Sequence, residues 1–105
     1  MTTQQTNQPS YTSYKARPLF ELGQMVATPG ATMVLNQLNI SAFSLLSRHI
    51  CGDWGDMTSD DKQYNDEALT DGSRIFSAYQ FDTVKFWVIT EADRSATTIL
   101  LPEEY

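Results

Sequence analysis

Apolar positions recur in two rhythms along this chain, and the change of rhythm falls near Ser73. Between Pro29 and Gly72 the spacing is helical, and after Ser73 short runs rich in β-branched and aromatic residues take over. The stretch LFELGQMVA (19–27) is short, apolar and partly alternating, with breakers behind it, which predicts a first strand. Thr28-Pro29 then predicts a helix start, with Thr as N-cap and Pro at the first helical position, where its missing N–H costs nothing. That helix carries ATMVLNQL, with Met33, Val34 and Leu38 directed inward, and ends near Asn39. Ser41 caps a second helix, SAFSLLSRHIC, in which Ala42, Leu45, Leu46 and His49 share one face. Gly52 follows as the residue after the helix cap, and DWGD turns the chain. Thr58 or Ser59 begins a third, more polar helix that Gly72 ends, with Asp60 and Asp61 at the favourable end of its dipole.

The last third reads RIFSAYQF (74–81), VKFWVITE (84–91) and ATTILLP (96–102), rich in β-branched and aromatic residues. The breaks between these runs are short, so antiparallel pairing is expected. Segregated helices and strands predict an α+β fold: a short N-terminal strand, three helices, then a three-stranded antiparallel meander packed against the helices. Residues 1–17, MTTQQTNQPSYTSYKAR, hold too little apolar surface to offset the entropy of ordering and are expected to form a disordered polar arm. Residues 18–105 form a single α+β domain in this reading. If the last strand is a sheet edge, its apolar residues would support a homodimer.

Composition sharpens the functional choices. The 105 residues are 41% hydrophobic and 19% charged, as in an ordinary globular domain, and no apolar run is long enough to span a membrane. The first ten residues lack the basic start and apolar stretch of a secretory signal, so a cytoplasmic location is expected. The single cysteine, Cys51, has no cysteine partner for a disulfide or a zinc site. No cofactor and no metal are expected. The net charge is −6, and Asp53, Asp56, Asp60, Asp61, Asp66, Glu67 and Asp71 crowd the stretch between Gly52 and Gly72 against Lys62 alone. Nucleic-acid binders show a basic patch, so direct nucleic-acid binding is not expected. The acidic stretch is either a solvated helix face or a surface that attracts a basic or nucleic-acid-binding protein.

Two clusters could carry chemistry. RHICGDWGD (48–56) holds the only histidine, the only cysteine and one of two tryptophans. His49 lies on the inward stripe of its helix, either as a buried structural residue or as a general acid or base. Asp53, Trp54 and Asp56 read as a turn with a packed indole, or as part of a partner-binding face with Asp60 and Asp61. The spacing of a calcium loop and its closing Glu are missing. In ITEADRSATT (89–98), Glu91, Asp93 and Arg94 crowd a turn and Thr97 and Thr98 open the next strand. That set either pairs up as a charged hairpin or holds a phosphate.

The runs LGQMVATPGA, LLSRHICGDWGD, DDKQYNDEALTDGSRIFSAY and WVITEADRSATTILLPEEY resemble a small family encoded on bacterial plasmids and integrated elements. Its members are described as plasmid-related proteins, at times under the label of a type I restriction subunit M. A modification subunit needs a far longer methyltransferase domain with a glycine-rich strand–turn–helix, which this chain lacks. The resemblance implies a mobile-element setting and transfers no catalytic residue. It supports an interaction or regulatory accessory protein that acts on a protein partner through its acidic surface, for instance by antagonising a host defence nuclease. By element order and residue kinds the chain is also similar to barnase-type ribonucleases. That similarity implies a metal-independent site with His49 and Glu91 as the acid–base pair, Arg94 on the phosphate and Thr97 or Thr98 in support.

Overall fold

A computed structural model describes residues 17–105. The arm expected over residues 1–17 therefore lies outside the described residues except for Arg17, which is exposed. The element order is β1 (Gln24–Ala27), α1 (Pro29–Leu38), α2 (Ala42–Ile50), α3 (Ser59–Asp71), β2 (Ile75–Phe81), β3 (Val84–Thr90) and β4 (Ala96–Leu100), followed by one 3-10 turn at Pro102–Glu104. The helix starts are those the capping residues dictate. Thr28, Ser41 and Thr58 each take extended backbone and accept a hydrogen bond from the first turn, through Ala31, Phe43 and Asp61 N–H respectively. Asn39 and Gly72 close α1 and α3 in the left-handed conformation.

The sheet is larger than a meander. β2–β3 and β3–β4 pair antiparallel, as their short connections require, but β1 adds to β4 in parallel, giving the order β1-β4-β3-β2. The expected three-stranded meander is thus corrected to a four-stranded mixed sheet within an α+β fold. The last strand is interior, and the edges are β1 and β2. The first strand is also shorter than the alternation of 19–27 suggests. Gly23 adopts a φ of +64°, and a Cβ there would collide with the backbone of Arg94 and Ser95. Residues 17–23 instead cross the end of α2, with the Leu19 N–H donating to the Ile50 carbonyl (2.8 Å).

Helices α1 and α2 cover one face of the sheet. Ala31 and Leu35 of α1 and Leu45 and Leu46 of α2 pack on Tyr79, Phe86, Val88 and Ile99. Met33 and Leu38, expected inward, are exposed. The helix offers two apolar stripes, and the one containing the small Ala31 lets the helix lie close to the strands. On the other face Phe76, Trp87 and Tyr105 pack ring against ring, and Arg74 donates to the Tyr105 hydroxyl (3.2 Å). The Glu104 carboxylate returns to the N-terminus of α1, where it accepts from the Thr28 hydroxyl and the Gly30 N–H. Those bonds, the Thr28 hydroxyl first, hold its pKa below the usual carboxylate value.

Helix α3 lies along the β2 edge, which explains its polarity: Asn65 and Ala68 are its buried residues. The outward backbone groups of β2 are satisfied one after another. The Asn65 amide accepts from Phe76 N–H (3.0 Å) and donates to Phe76 C=O (2.7 Å). Ala78 donates to the Trp54 carbonyl (3.1 Å) and accepts from Asp56 N–H (2.6 Å). The Asp56 carboxylate then accepts from Gln80 N–H (2.8 Å). The GDWGD turn is therefore a cover for the sheet edge, a position that would otherwise be open to pairing. Gly55, at φ +83°, has no room for a Cβ against the Ala78 carbonyl.

Candidate functional site: a closed polar core and an acidic edge helix

Among the described residues a polar cluster inside the domain is centred on His49, which is completely buried. α2 presents the ring to the middle of the sheet. There Nδ1 lies 2.6 Å from Ser77 Oγ on β2, and Nε2 lies 2.9 Å from Thr90 Oγ1 on β3. Thr90 Oγ1 is 2.6 Å from Thr97 Oγ1 on β4. The last acceptor in this chain sets the direction of every proton in it. The Leu22 carbonyl can only accept, so Thr97 donates to it (2.7 Å). Thr97 must then accept from Thr90. With its single proton committed, Thr90 accepts from His49 Nε2–H, and Nδ1 accepts from the Ser77 hydroxyl. The imidazole is neutral with its proton on Nε2, and burial pushes its pKa down to about 3.

Phe20 closes this cluster from the outside. Its ring meets the His49 ring edge-on at 5.2 Å between centroids and stacks on Trp54 at 6.3 Å. Arg94 Cζ sits 5.8 Å from the centroid of the same ring. Among the residues considered for catalysis, His49 and Thr97 are thus joined through Thr90, whereas Glu91 and Arg94 stand apart. Glu91 is exposed, and its nearest cation is Arg74, at 3.9 Å. Arg94, at φ +61°, directs its guanidinium to the carbonyls of Ser73 (2.6 Å), Ala68 (3.0 Å), Glu91 and Ala92 (both 3.2 Å). It braces the end of α3 against the β3–β4 turn. The four side chains of the ribonuclease reading therefore do not converge on one accessible point. Arg94→Met is expected to cost about 2 kcal/mol, with Arg94→Lys restoring little, because an ammonium cannot reach several carbonyls in a fixed fan. Urea unfolding of the three proteins checks this.

The residues expected at a partner face divide in two. Trp54 is 4% exposed and donates its indole N–H to Asp66 (2.9 Å). Asp53 pairs with Arg48 (2.7 Å), accepts from Gly55 N–H and offers its carbonyl to the Tyr79 hydroxyl (2.6 Å). Asp56 is committed to Gln80, as above. These three hold the turn together. Asp60 and Asp61 are exposed on the first turn of α3. Neither ion pair among the described residues, Arg48–Asp53 and Arg74–Glu91, involves this helix. Cys51 is half-buried, and burial raises its thiol pKa. Among the described residues no group of three His, Cys, Asp or Glu side chains is placed to hold a metal ion, and no helix is long and apolar enough to cross a membrane.

Ser77, Thr90, Asn65 and Phe20 are the site residues that the chain pattern did not single out. A signal for two of them exists. Ser77 sits between Ile75 and Tyr79, and Thr90 lies two residues beyond Val88, each a hydroxyl on the apolar face of its strand. A buried hydroxyl in such a row calls for a buried partner. The fold and site define an α+β domain with a closed hydrogen-bonded core and an acidic helix at one sheet edge. Comparison with protein-family models, with curated proteins and with solved structures gave no match.

Proposed function

We propose that this protein is an acidic binding module of bacterial mobile elements that works in the cytoplasm by occupying the basic surface of a protein partner. The observation that carries the reading is the outer side of α3. Asp60, Asp61, Glu67 and Asp71 are exposed there, with Lys62 as the one cation on the helix. Four carboxylates against one cation repel one another along the helix, and the dipole offsets this only for Asp60 and Asp61 in the first turn. A basic surface, such as the nucleic-acid site of a defence nuclease, would relieve that repulsion and gain in rate of encounter. The ribonuclease reading has no comparable support, since His49 is enclosed and Arg94 is engaged with backbone carbonyls.

Neutralising Asp60 and Asp61 together as Asn keeps side chains of similar size at the helix start. Affinity capture from host lysate with wild type and with this variant is expected to yield a partner released by salt and retained at least about tenfold less by the variant. Equal retention of every captured partner by both proteins would remove the acidic-helix mechanism.

A further inference from the structure

The two edges of the sheet are treated in opposite ways. Around β2 every outward group from Phe76 to the Gln80 N–H has a partner, whereas among the described residues no helix or turn is laid along β1. Gln24 N–H and Thr28 N–H donate toward β4, to the Ser95 and Ile99 carbonyls (both 3.0 Å). Alternation along a strand then turns the backbone N–H and C=O of Met25 and Ala27 toward the open edge. Its own residues carry no charge. No Asp, Glu, Lys, Arg or His occurs between Leu22 and Ser47, a stretch that spans β1, α1 and most of α2 in a chain of net charge −6. On that neutral surface Met25 and Phe43 are 52% and 67% exposed. They line an open apolar groove of about 250 Å³ together with Ala27, Ala42, Leu46 and Ile99. A second groove, of about 270 Å³, shares Ala27, Ala42 and Phe43 with it and runs on toward α1.

We propose that β1 is the self-association edge of this protein, pairing antiparallel with β1 of a second copy about a two-fold axis. The charge distribution selects this occupant. Two copies of an acidic protein repel wherever their α3 helices or acidic turns approach, and the neutral β1–α2 surface is where they meet without that cost. The edge is also its own complement. With Met25 opposite the partner's Ala27 and Ala27 opposite the partner's Met25, both pairs exchange N–H···O=C bonds. Val26 then faces the partner's Val26 as the closer, non-bonded pair. The two apolar grooves come together across the axis, and Phe43 of each copy is covered. The acidic helices, which pack at the β2 edges, are left at the two far ends of an eight-stranded sheet. A four-residue edge and its groove fall short of the roughly 800 Å² per partner of a standard stable interface, so the dimer is weak and exchanges with monomer.

Sedimentation equilibrium of the full chain from about 10 µM to about 1 mM tests this. The wild type is expected to show a reversible monomer–dimer equilibrium. Phe43→Glu and Met25→Lys, both at exposed positions, weaken it at least about tenfold with unchanged circular dichroism and melting. Tyr64→Ser, on the acidic helix, leaves it unchanged. The register has its own readout: in a Cys51→Ser background, Val26→Cys forms a disulfide-linked dimer on mild oxidation because that pair lies within disulfide reach, and Met33→Cys does not. The proposal is overturned by a wild type that stays monomeric throughout. It is equally overturned by a dimer of undiminished strength in both charged variants, or by a dimer in which Val26→Cys fails to link.

Discussion

Between pH 6.5 and pH 4.5 the folded protein is expected to lose about 2–3 kcal/mol of stability through one residue, His49. The unfolded imidazole takes up a proton near its ordinary pKa of 6.5, while in the fold burial holds that pKa down to about 3. The unfolded state therefore binds more protons across this window, and stability falls as the pH falls, at about 1.4 kcal/mol per pH unit once well below 6.5. The physical obstacle to protonation is specific. A second ring proton at Nδ1 would point at Ser77 Oγ, reversing a hydrogen bond inside a site sealed by Phe20. Carboxylates add a loss of their own at lower pH: Asp71 and Asp93, each held by the Ser two residues on, and Glu104, held first by Thr28, all have lowered pKa values. Their stabilisation is complete above about pH 5, so the interval from 6.5 down to 5 belongs to His49. Urea unfolding at half-unit steps measures the slope. His49→Gln, which cannot titrate, is expected to be less stable at pH 7 and flat across that interval. An equal slope in wild type and variant would assign the acid sensitivity elsewhere.

Asn65→Ala is expected to destabilise the domain by about 3 kcal/mol and to make it prone to aggregate. Asn65 is buried, and its amide satisfies both backbone groups of Phe76 on the outer edge of β2. Alanine removes the donor and the acceptor together and leaves an N–H and a C=O without partners under α3. Asn65→Asp separates the two contributions. A carboxylate still accepts from Phe76 N–H but repels the Phe76 carbonyl, so this variant is expected to be little better than alanine. Thermal melting with light scattering at each temperature reads both effects. A variant that melts within about 0.5 kcal/mol of wild type would show that Ala68, Trp54 and Arg94 hold α3 to the sheet without help from Asn65.

These two residues mark where the sequence is legible. Asn65 lies in a mostly polar helix, and only its spacing of three and four residues from Ala68 and Leu69 marks it as inward, a short signal among so many polar positions. Its role depends on a strand edge that arrives beside it only after the chain has turned through Gly72. His49 was visible as an inward histidine because a helix repeats every 3.6 residues and Leu45 and Leu46 set the phase. Its partners Ser77 and Thr90 come from strands whose sideways order no local pattern contains. The ITEADRSATT turn shows the same limit. Its charged residues suggest a site when read together, yet the left-handed backbone at Arg94 turns the guanidinium onto carbonyls of α3 and Ser73, away from Glu91's exposed carboxylate.

By itself the sequence determined the local structure. Thr28-Pro29, Ser41, Thr58 and Gly72 set the helix limits, because capping hydrogen bonds and left-handed closures involve residues within a turn of one another. Runs of β-branched and aromatic residues in the last third likewise set three strands and their antiparallel connections. The tertiary structure alone decided which stripe of α1 faces the sheet, that β1 joins β4 in parallel, and that GDWGD and Asn65 close the β2 edge. Each of these depends on contacts between residues far apart in the chain, where burial and hydrogen-bond satisfaction, unlike capping and periodicity, are properties of the assembled fold.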